Sequence, residues 1–310
     1  MPQPSAKQLI ILSGKGGTGK TSITAAFAHL ASQSQHLVSA VLVDADVDAA
    51  NLALVMQPDH SQQNEFWGGS IAFIDADLCI GCGQCAAVCR YDAALPSKTD
   101  PNLYQIDDLA CDGCAACVYA CPQQAITMIR QQEGLWFHSQ SRYGELLHAE
   151  LFPGKENSGK LVTTIKQHAR LAAEDQSIPL MIIDGPPGIG CPVISAGAGA
   201  DLALIITEPG KAGIHDLKRI FATLQHFKIP TLICINKADI YPEGVQEIHR
   251  FAAENNEEVI GEIPFDPAIP HAMVQGQPIT QYAPQAPASL AILQLWQTIA
   301  QRISAEEIQP

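Results

Sequence analysis

Two groups of residues in this chain of 310 carry recognisable chemistry. The first is Gly14-Lys15-Gly16-Gly17-Thr18-Gly19-Lys20-Thr21, set between an apolar run at 9–12 and the helix-forming Ser22-Ile23-Thr24-Ala25-Ala26-Phe27-Ala28. The pattern G-x-x-x-x-G-K-[ST] is that of a phosphate-binding loop. Its glycines let backbone N–H groups close around phosphate oxygens, and the helix N-terminus adds partial positive charge. Lys20 is expected to reach the β- and γ-phosphates and the Thr21 hydroxyl to hold Mg²⁺. The second group is eight of the ten cysteines, in Cys79-x2-Cys82-x2-Cys85-x3-Cys89 and Cys111-x2-Cys114-x2-Cys117-x3-Cys121-Pro122. Each cysteine of the second run lies 32 residues after its counterpart, so the stretch reads as an internal duplication.

Four thiolates around a 4Fe–4S cube explain this spacing. Three come from a tight C-x2-C-x2-C loop whose turns Gly81, Gly83 and Gly113 permit, and the fourth comes from the other run. On this reading Cys79, Cys82, Cys85 and Cys121 hold one cluster, and Cys111, Cys114, Cys117 and Cys89 hold the other. C-x2-C pairs also make zinc ribbons, but two complete four-cysteine runs favour iron–sulfur. Arg90 stands where the second run has Pro122, which brings a charge beside a ligand of the cluster that Cys89 serves.

Apolar strands ending in acidic residues supply more candidates. The run at 37–43 is typical of a parallel strand covered on both faces, and it ends in Asp44-Ala45-Asp46-Val47-Asp48. Ligands bind at the carboxyl ends of such strands. Asp46 is therefore placed to hold Mg²⁺ through water or to orient the attacking water, while Asp48 reads as part of a solvated acidic loop. A strand at 180–183 ends in Asp184-Gly185-Pro186-Pro187-Gly188. It supplies a second metal carboxylate, Asp184, and a backbone N–H at Gly188 for a γ-phosphate. The strand at 231–235 ends in Asn236-Lys237-Ala238-Asp239, an N-K-x-D pattern that leaves guanine and adenine both open. Cys191 reads as a small buried residue at a helix start, or as a reactive thiol or interface ligand. Cys234, in mid-strand, reads as core.

These residues need a scaffold of alternating strands and helices. Further strands are expected at 202–207 and 259–263, with helices at 161–174 and 213–227. A last helix carries Leu290, Leu293, Trp296, Ile299 and Ile303 as its packed stripe. The fold class is α/β, a doubly wound and mostly parallel sheet of the P-loop NTPase type, with an inserted α+β domain of bacterial ferredoxin type. The expected bounds are 1–67 and 139–310 for the nucleotide-binding domain and 68–138 for the insert. Within this plan the polar stretch 57–69 reads as a linker. The segments at 125–129 and 135–138 read as a β-hairpin closing the insert, with Trp136 and Phe137 as core rather than electron relays. Residues 139–151 read as irregular or a short strand.

The net charge of −14 opposes a nucleic-acid surface, which needs a basic stripe, and fits partners with basic patches. Residues 1–7 lack the pattern of a signal peptide, and the apolar runs are too short for a membrane span. The expected location is the cytoplasm, where cysteines stay reduced. The ten histidines have no ligand spacing.

Lys15, the second residue of the loop, is a finer signal. The loop resembles the deviant phosphate loop of the MinD/ParA/nitrogenase iron protein class. The resemblance continues through 44–52, 184–192, 207–209, 215–219, 236–239 and 263–266. With the ferredoxin-type run ahead of Leu151-Phe152-Pro153-Gly154, nearly the whole chain looks like the MinD-superfamily ATPases that carry an inserted ferredoxin domain. The resemblance implies ATP rather than GTP, with Asn236 and the Pro264-Phe265 loop near the adenine. It implies Asp46 and Asp184 around Mg²⁺ and the water. It also implies a homodimer through the nucleotide interface, in which Lys15 reaches the partner's ATP. Cys191 matches a bridging-cluster cysteine of the nitrogenase iron protein, whose second bridging cysteine has no match here.

The function expected is an ATP-driven switch coupled to electron transfer through two 4Fe–4S clusters, with redox protein partners. The alternative is an ATPase of iron–sulfur or metallocofactor assembly, whose scaffold relatives carry a C-x2-C near the C-terminus; this chain has none after Cys121. A spatial organiser of MinD or ParA type is opposed by the net charge and by Glu306 and Glu307 near the end. No nucleic-acid and no membrane partner is expected.

Overall fold

The computed structural model describes residues 5–33, 39–155 and 158–305. The chain divides into two compact units, one of Met1–Asn64, Trp136–Glu150 and Ser158–Pro310, the other of Glu65–Leu135 and Leu151–Asn157. Along the chain, β1 (Lys7–Ser13) leads to α1 (Lys20–Gln33), β2 (Ala40–Asp44), α2 (Leu52–Met56) and β3 (His60–Phe66). Next come β4 (Gly69–Ile74), α3 (Gln84–Val88), β5 (Ala94–Pro96), β6 (Tyr104–Ile106), α4 (Ala116–Ala120) and β7 (Ile126–Gln131). Then follow β8 (Gly134–Ser141), β9 (Gly144–Leu151), α5 (Ser158–Asp175), β10 (Leu180–Pro187), α6 (Cys191–Gly197) and β11 (Leu202–Thr207). The chain closes with α7 (Lys211–His226), β12 (Thr231–Asn236), α8 (Pro242–Glu254), β13 (Val259–Ile263), α9 (Ala268–Val274), α10 (Ile279–Tyr282) and α11 (Pro287–Ala305).

In the first unit a nine-stranded sheet runs β13-β12-β11-β1-β10-β2-β9-β8-β3. From β13 to β9 the strands pair in parallel. Every residue of β2, β11 and β12 is buried, as parallel strands covered on both faces require. This is the expected α/β class. With β1 flanked by β10 and β11, the strand order reverses beside it, and the crevice at the carboxyl ends opens there. α1 buries Ile23 and Phe27, and Phe27 packs on Trp296 of α11 with ring centroids 5.2 Å apart. Each such side chain contributes about 1.5–3 kcal/mol by leaving water. No helix among the described residues is long and apolar enough to cross a membrane.

Four expectations need correction. The stretch 57–69 is not a linker, because 60–66 forms β3 at the edge of the large sheet. Ser61, Gln62 and Gln63 are exposed there, so the strand lacks the apolar alternation that betrays strands in sequence. The segments at 125–129 and 135–138 do not pair with each other. β7 pairs antiparallel with β4, Ile74 opposite Ile126, while β8 neighbours β9 and β3. Residues 139–151 are therefore the end of β8 and all of β9, joined by Arg142 and Tyr143. In α11 the buried face is Ala288, Ile292, Leu295, Trp296 and Ile299, and Leu290 is 43% exposed. Leu290 lies two residues from both Ala288 and Ile292, which turns it to the far side of a 3.6-residue helix. Leu37, Val38, Glu306 and Glu307 lie outside the described residues.

The second unit holds two small antiparallel pairs, β4–β7 and β5–β6. Its buried core is Ala72, Ile74, Cys85, Ala94 and Ile126, and Cys79, Cys89, Cys111, Cys117 and Cys121 pack against it. The sequence-based bounds 68–138 leave out 65–67 and 151–157, which cluster with this unit.

Candidate functional site

At the carboxyl end of β1 the chain turns through Gly17 and Gly19 in the left-handed region, φ 77° and 96°. Asn236, buried at the end of β12, donates from Nδ2 to the Thr18 carbonyl at 2.7 Å. A Cβ on Gly19 would come within 2.6 Å of that amide nitrogen, so the close approach needs glycine. Ser13 accepts from Lys20 Nζ at 3.0 Å and donates to the Lys15 carbonyl at 2.6 Å. Among the described residues Thr18 Oγ1 is buried with no hydrogen-bond partner. That orphan hydroxyl, in a loop with its backbone bent back on itself, fits a phosphate cradle.

Behind the loop stands a cluster of charge. Thr21 donates to Asp184 Oδ2 at 2.7 Å and Thr24 donates to Asp184 Oδ1 at 3.0 Å. Asp44 faces Asp184 in register across β2 and β10, and both are buried. Asp44 accepts the N–H groups of Leu52 at 2.9 Å and Asp46 at 3.2 Å. Burial pushes the Asp44 carboxyl well up, and the Asp184 charge adds to it. Burial likewise raises Asp184 against the pull of Thr21, Lys20 and Thr24. Burial raises Asp46 to about 6, with Lys20 opposing. Burial lowers the Lys20 ammonium, while Asp184, Asp46 and Asp44 pull it back. These three acids, which burial inclines to hold protons, cluster around one ammonium, and a divalent cation at this point would favour their ionised forms. Thr21 spends its proton on Asp184 and keeps its lone pairs for such an ion.

Asp48 is exposed at the edge of this cluster, where its charge adds to the upward push on Asp46. The Gly188 N–H, expected at a γ-phosphate, donates here to the Ser13 carbonyl at 3.0 Å. Cys191 is exposed at the first position of α6, which removes its reading as a small buried residue. Cys234 is buried, as a core residue should be. Trp136 and Phe137 are half-buried, stacked on His168 and His148.

Beside the loop lies an open pocket of about 470 Å³, lined on its apolar side by Pro264, Phe265, Ile269, Met273 and Val274. Asn236 and Lys237 form its other wall. Asp239 accepts the Phe265 N–H at 2.6 Å, so its carboxylate holds the Pro264-Phe265 loop. Both ends of the Asn236 amide are also engaged, with the Thr18 carbonyl and with the Lys237 N–H at 3.0 Å. The pocket is therefore a flat apolar slot with few free polar groups, suited to a purine face. Lys15 pairs with Glu208 at 2.7 Å, and Lys237 takes the other oxygen of Glu208 at 2.6 Å.

In the second unit the duplication has a three-dimensional form. The Asp75 carbonyl accepts the Cys79 N–H and the Asp107 carbonyl accepts the Cys111 N–H, both at 3.0 Å. Each aspartate also donates its own N–H to the other repeat, Asp75 to Ala125 and Asp107 to Ala93, both at 2.8 Å. Cys89 Sγ accepts the Ala93 N–H and Cys121 Sγ accepts the Ala125 N–H, both at 3.3 Å. The tail of each run is thus tied to the head of the other. Cys79, Cys82, Cys85 and Cys121 line one pocket with Ile74, Tyr104 and Ile126. Burial raises the Cys89 thiol, but N–H groups from Tyr91, Ala93 and Ala94 more than reverse it, leaving it below the usual range. Among the described residues no three His, Cys, Asp or Glu side chains close on a single-ion site. A cube presents its irons at separate corners, so this donor set, rich in thiols that receive N–H bonds, fits a cluster.

Sequence reasoning passed over Asp44, Ser13, Thr24 and Glu208. Asp44 could have been found as the first acid of the Asp44-x-Asp46 pair at a strand end. Ser13 is bonded within the loop itself, to Lys15 and Lys20, while Thr24 and Glu208 show their roles only through partners remote in sequence.

Residues 9–279 match the family described as CobQ/CobB/MinD/ParA nucleotide binding domain. An uncharacterized protein of Methanocaldococcus jannaschii is 36% identical over 230 residues, 74% of this chain and 78% of that one. The cytosolic Fe-S cluster assembly factor NUBP1 homolog of Caenorhabditis elegans is 20% identical over 315 residues, 96% of this chain and 81% of that one. The septum site-determining protein MinD of Pyrococcus horikoshii, solved with Mg-ADP, has the same fold at a TM-score of 0.58 and 18% identity. That likeness covers 95% of this chain and 96% of that one.

Proposed function

Because the chain belongs to the CobQ/CobB/MinD/ParA nucleotide-binding family, we propose that it is an ATPase whose nucleotide switch drives electron transfer through two 4Fe–4S clusters in its second unit. The ATPase assignment follows from the family. Lys20 holds the β- and γ-phosphates, Thr21 and Asp46 hold Mg²⁺, and Asp184 fixes Thr21. Asp46, the most accessible of the three acids, orients the attacking water. Asn236 and the Pro264-Phe265 loop flank adenine. Lys15 acts across a homodimer on the partner's ATP.

The observation that carries the redox part is the crossed frame. Asp75 to Ala125 and Asp107 to Ala93 tie the two cysteine runs into one body around a cavity lined by Cys79, Cys82, Cys85 and Cys121. Its partner set is Cys111, Cys114, Cys117 and Cys89. The clusters supply one-electron centres when bound. The cysteines hold them within a core of few apolar residues, which needs such a staple to stay folded. Ligands woven into the core support resident rather than transferred clusters.

A second reading is iron–sulfur assembly, favoured by the named function of the relative that aligns over 96% of the chain. Anaerobic purification, iron counting and EPR titration with and without a non-hydrolysable ATP analogue separate the two. Electron transfer expects about eight irons per chain and a potential that moves with nucleotide. Rapid passage of iron to an apo-acceptor supports assembly. A full iron count with no nucleotide effect on potential or transfer rate rules out the gating idea.

A further inference from the structure

Glu208 ends the strand that neighbours β1 and holds two ammonium groups on one carboxylate. Oε2 pairs with Lys15 at 2.7 Å and Oε1 with Lys237 at 2.6 Å. The Glu208 side chain is 17% exposed, against 38% for Lys15 and 34% for Lys237. We propose that Glu208 is the release point for Lys15: it holds the lysine in its own subunit, and Lys237 stays behind as counter-ion when Lys15 swings to a second copy of the chain. This rests on the reading that Lys15 acts in trans.

Three observations support it. A half-buried carboxylate gives up part of its hydration and gains from a partner, and Lys237 supplies one when Lys15 leaves. The two cations also repel each other around one anion, so the second to bind gains less than the first. Finally, the two lysines differ in anchorage. The Lys237 N–H is held by Asn236 Oδ1 at 3.0 Å, and its side chain lines the base pocket. The Lys15 carbonyl is held by Ser13 at 2.6 Å, so its backbone stays fixed while the more exposed side chain is able to pivot. The anchor itself is rigid. Cβ atoms on Gly213 and Gly244 would strike the carbonyls of Glu208 and Pro209, and Thr207 Oγ1 donates to the Gly213 carbonyl at 3.1 Å. Burial raises the Glu208 carboxyl, and the two lysines more than reverse this, so it is charged at neutral pH.

The test is sedimentation velocity on the full chain with saturating AMPPNP, saturation being checked for each variant by direct nucleotide titration. Glu208→Gln frees Lys15 and should tighten the dimer about three- to tenfold. Lys237→Met leaves Glu208 with Lys15 alone and should weaken the dimer by a similar factor. In the Glu208→Gln background Lys237→Met should have no further effect. That cancellation is one that general damage to the base pocket does not produce. Should Glu208→Gln leave the dimer unchanged or weaker while Lys15→Ala abolishes it, the release role is overturned and the action in trans stands. A dimer that survives Lys15→Ala overturns the action in trans and the release role with it. Thermal melts establish that each variant is folded. As a measurement on the same fold, amine-reactive labelling of Lys15 without nucleotide should be faster in Glu208→Gln than in the native chain.

Discussion

Asp184 accepts the hydroxyl protons of both Thr21 and Thr24, at 2.7 and 3.0 Å, from a position 163 and 160 residues further along the chain. One carboxylate therefore sets the rotamers of two hydroxyls a turn apart on the same face of α1, one of them the last residue of the phosphate loop. Asp184→Asn retains one acceptor and replaces the other with a donor. ATP turnover should fall about 100- to 1000-fold, the scale seen when one preorganised polar group is lost. ADP affinity should change by only a few fold. Comparing steady-state hydrolysis with ADP titration checks the split.

Asp46 gives the site a pH limb. Its carboxyl titrates at about 6 because burial outweighs the pull of Lys20. In the proposed role only the ionised form would orient the attacking water, so kcat/KM at low Mg²⁺ should drop about tenfold per pH unit below that value. Saturating Mg²⁺ should move the limb to lower pH, because the cation favours the charged form. The stability sign is fixed as well. The folded state keeps this proton to higher pH than the unfolded chain, so this group costs the fold nothing below about pH 3.8 and destabilises it progressively as pH rises from there through 6. A flat activity profile down to pH 5 at low Mg²⁺ would remove Asp46 from the reaction.

Asn236 clamps the phosphate loop through the Thr18 carbonyl. Asn236→Ala leaves that buried carbonyl unpaired, at a cost of about 1–3 kcal/mol. ATP binding should weaken about tenfold, and urea unfolding should show the lost stability.

The crossed cysteine frame predicts a paired loss. If the proposed ligation holds, Cys121→Ala removes a ligand from the Cys79 set, and Cys89→Ala removes one from the Cys111 set. Each should reduce iron from about eight to about four per chain. Cys191→Ser should leave the count unchanged. Iron analysis with EPR spin counting checks all three, and equal iron in Cys121→Ala and the native protein would break the assignment.

Ala115 holds φ 60° at the start of α4, where the first repeat has Gly83 at 71°. An alanine there bears about 1–2 kcal/mol of left-handed strain. Ala115→Gly should stabilise the iron-loaded protein by about 1 kcal/mol, read as a higher melting temperature.

The sequence by itself determined what depends on neighbours in the chain. The phosphate loop is eight consecutive residues whose glycines dictate their own backbone, and the two cysteine runs carry their ligand spacing within eleven residues each. The apolar runs at 9–12 and 180–183 similarly announced buried parallel strands, because covered strands need unbroken apolar faces. The tertiary structure alone decided what depends on strand order. Asp44 meets Asp184 because β2 and β10 are adjacent, and Glu208 meets Lys15 because β11 flanks β1. β7 chose β4 over the nearer β8, and polar β3 became an edge strand. Backbone hydrogen bonds can pair any two strands, so the choice of partner lies in packing across the whole fold and leaves no local trace in sequence.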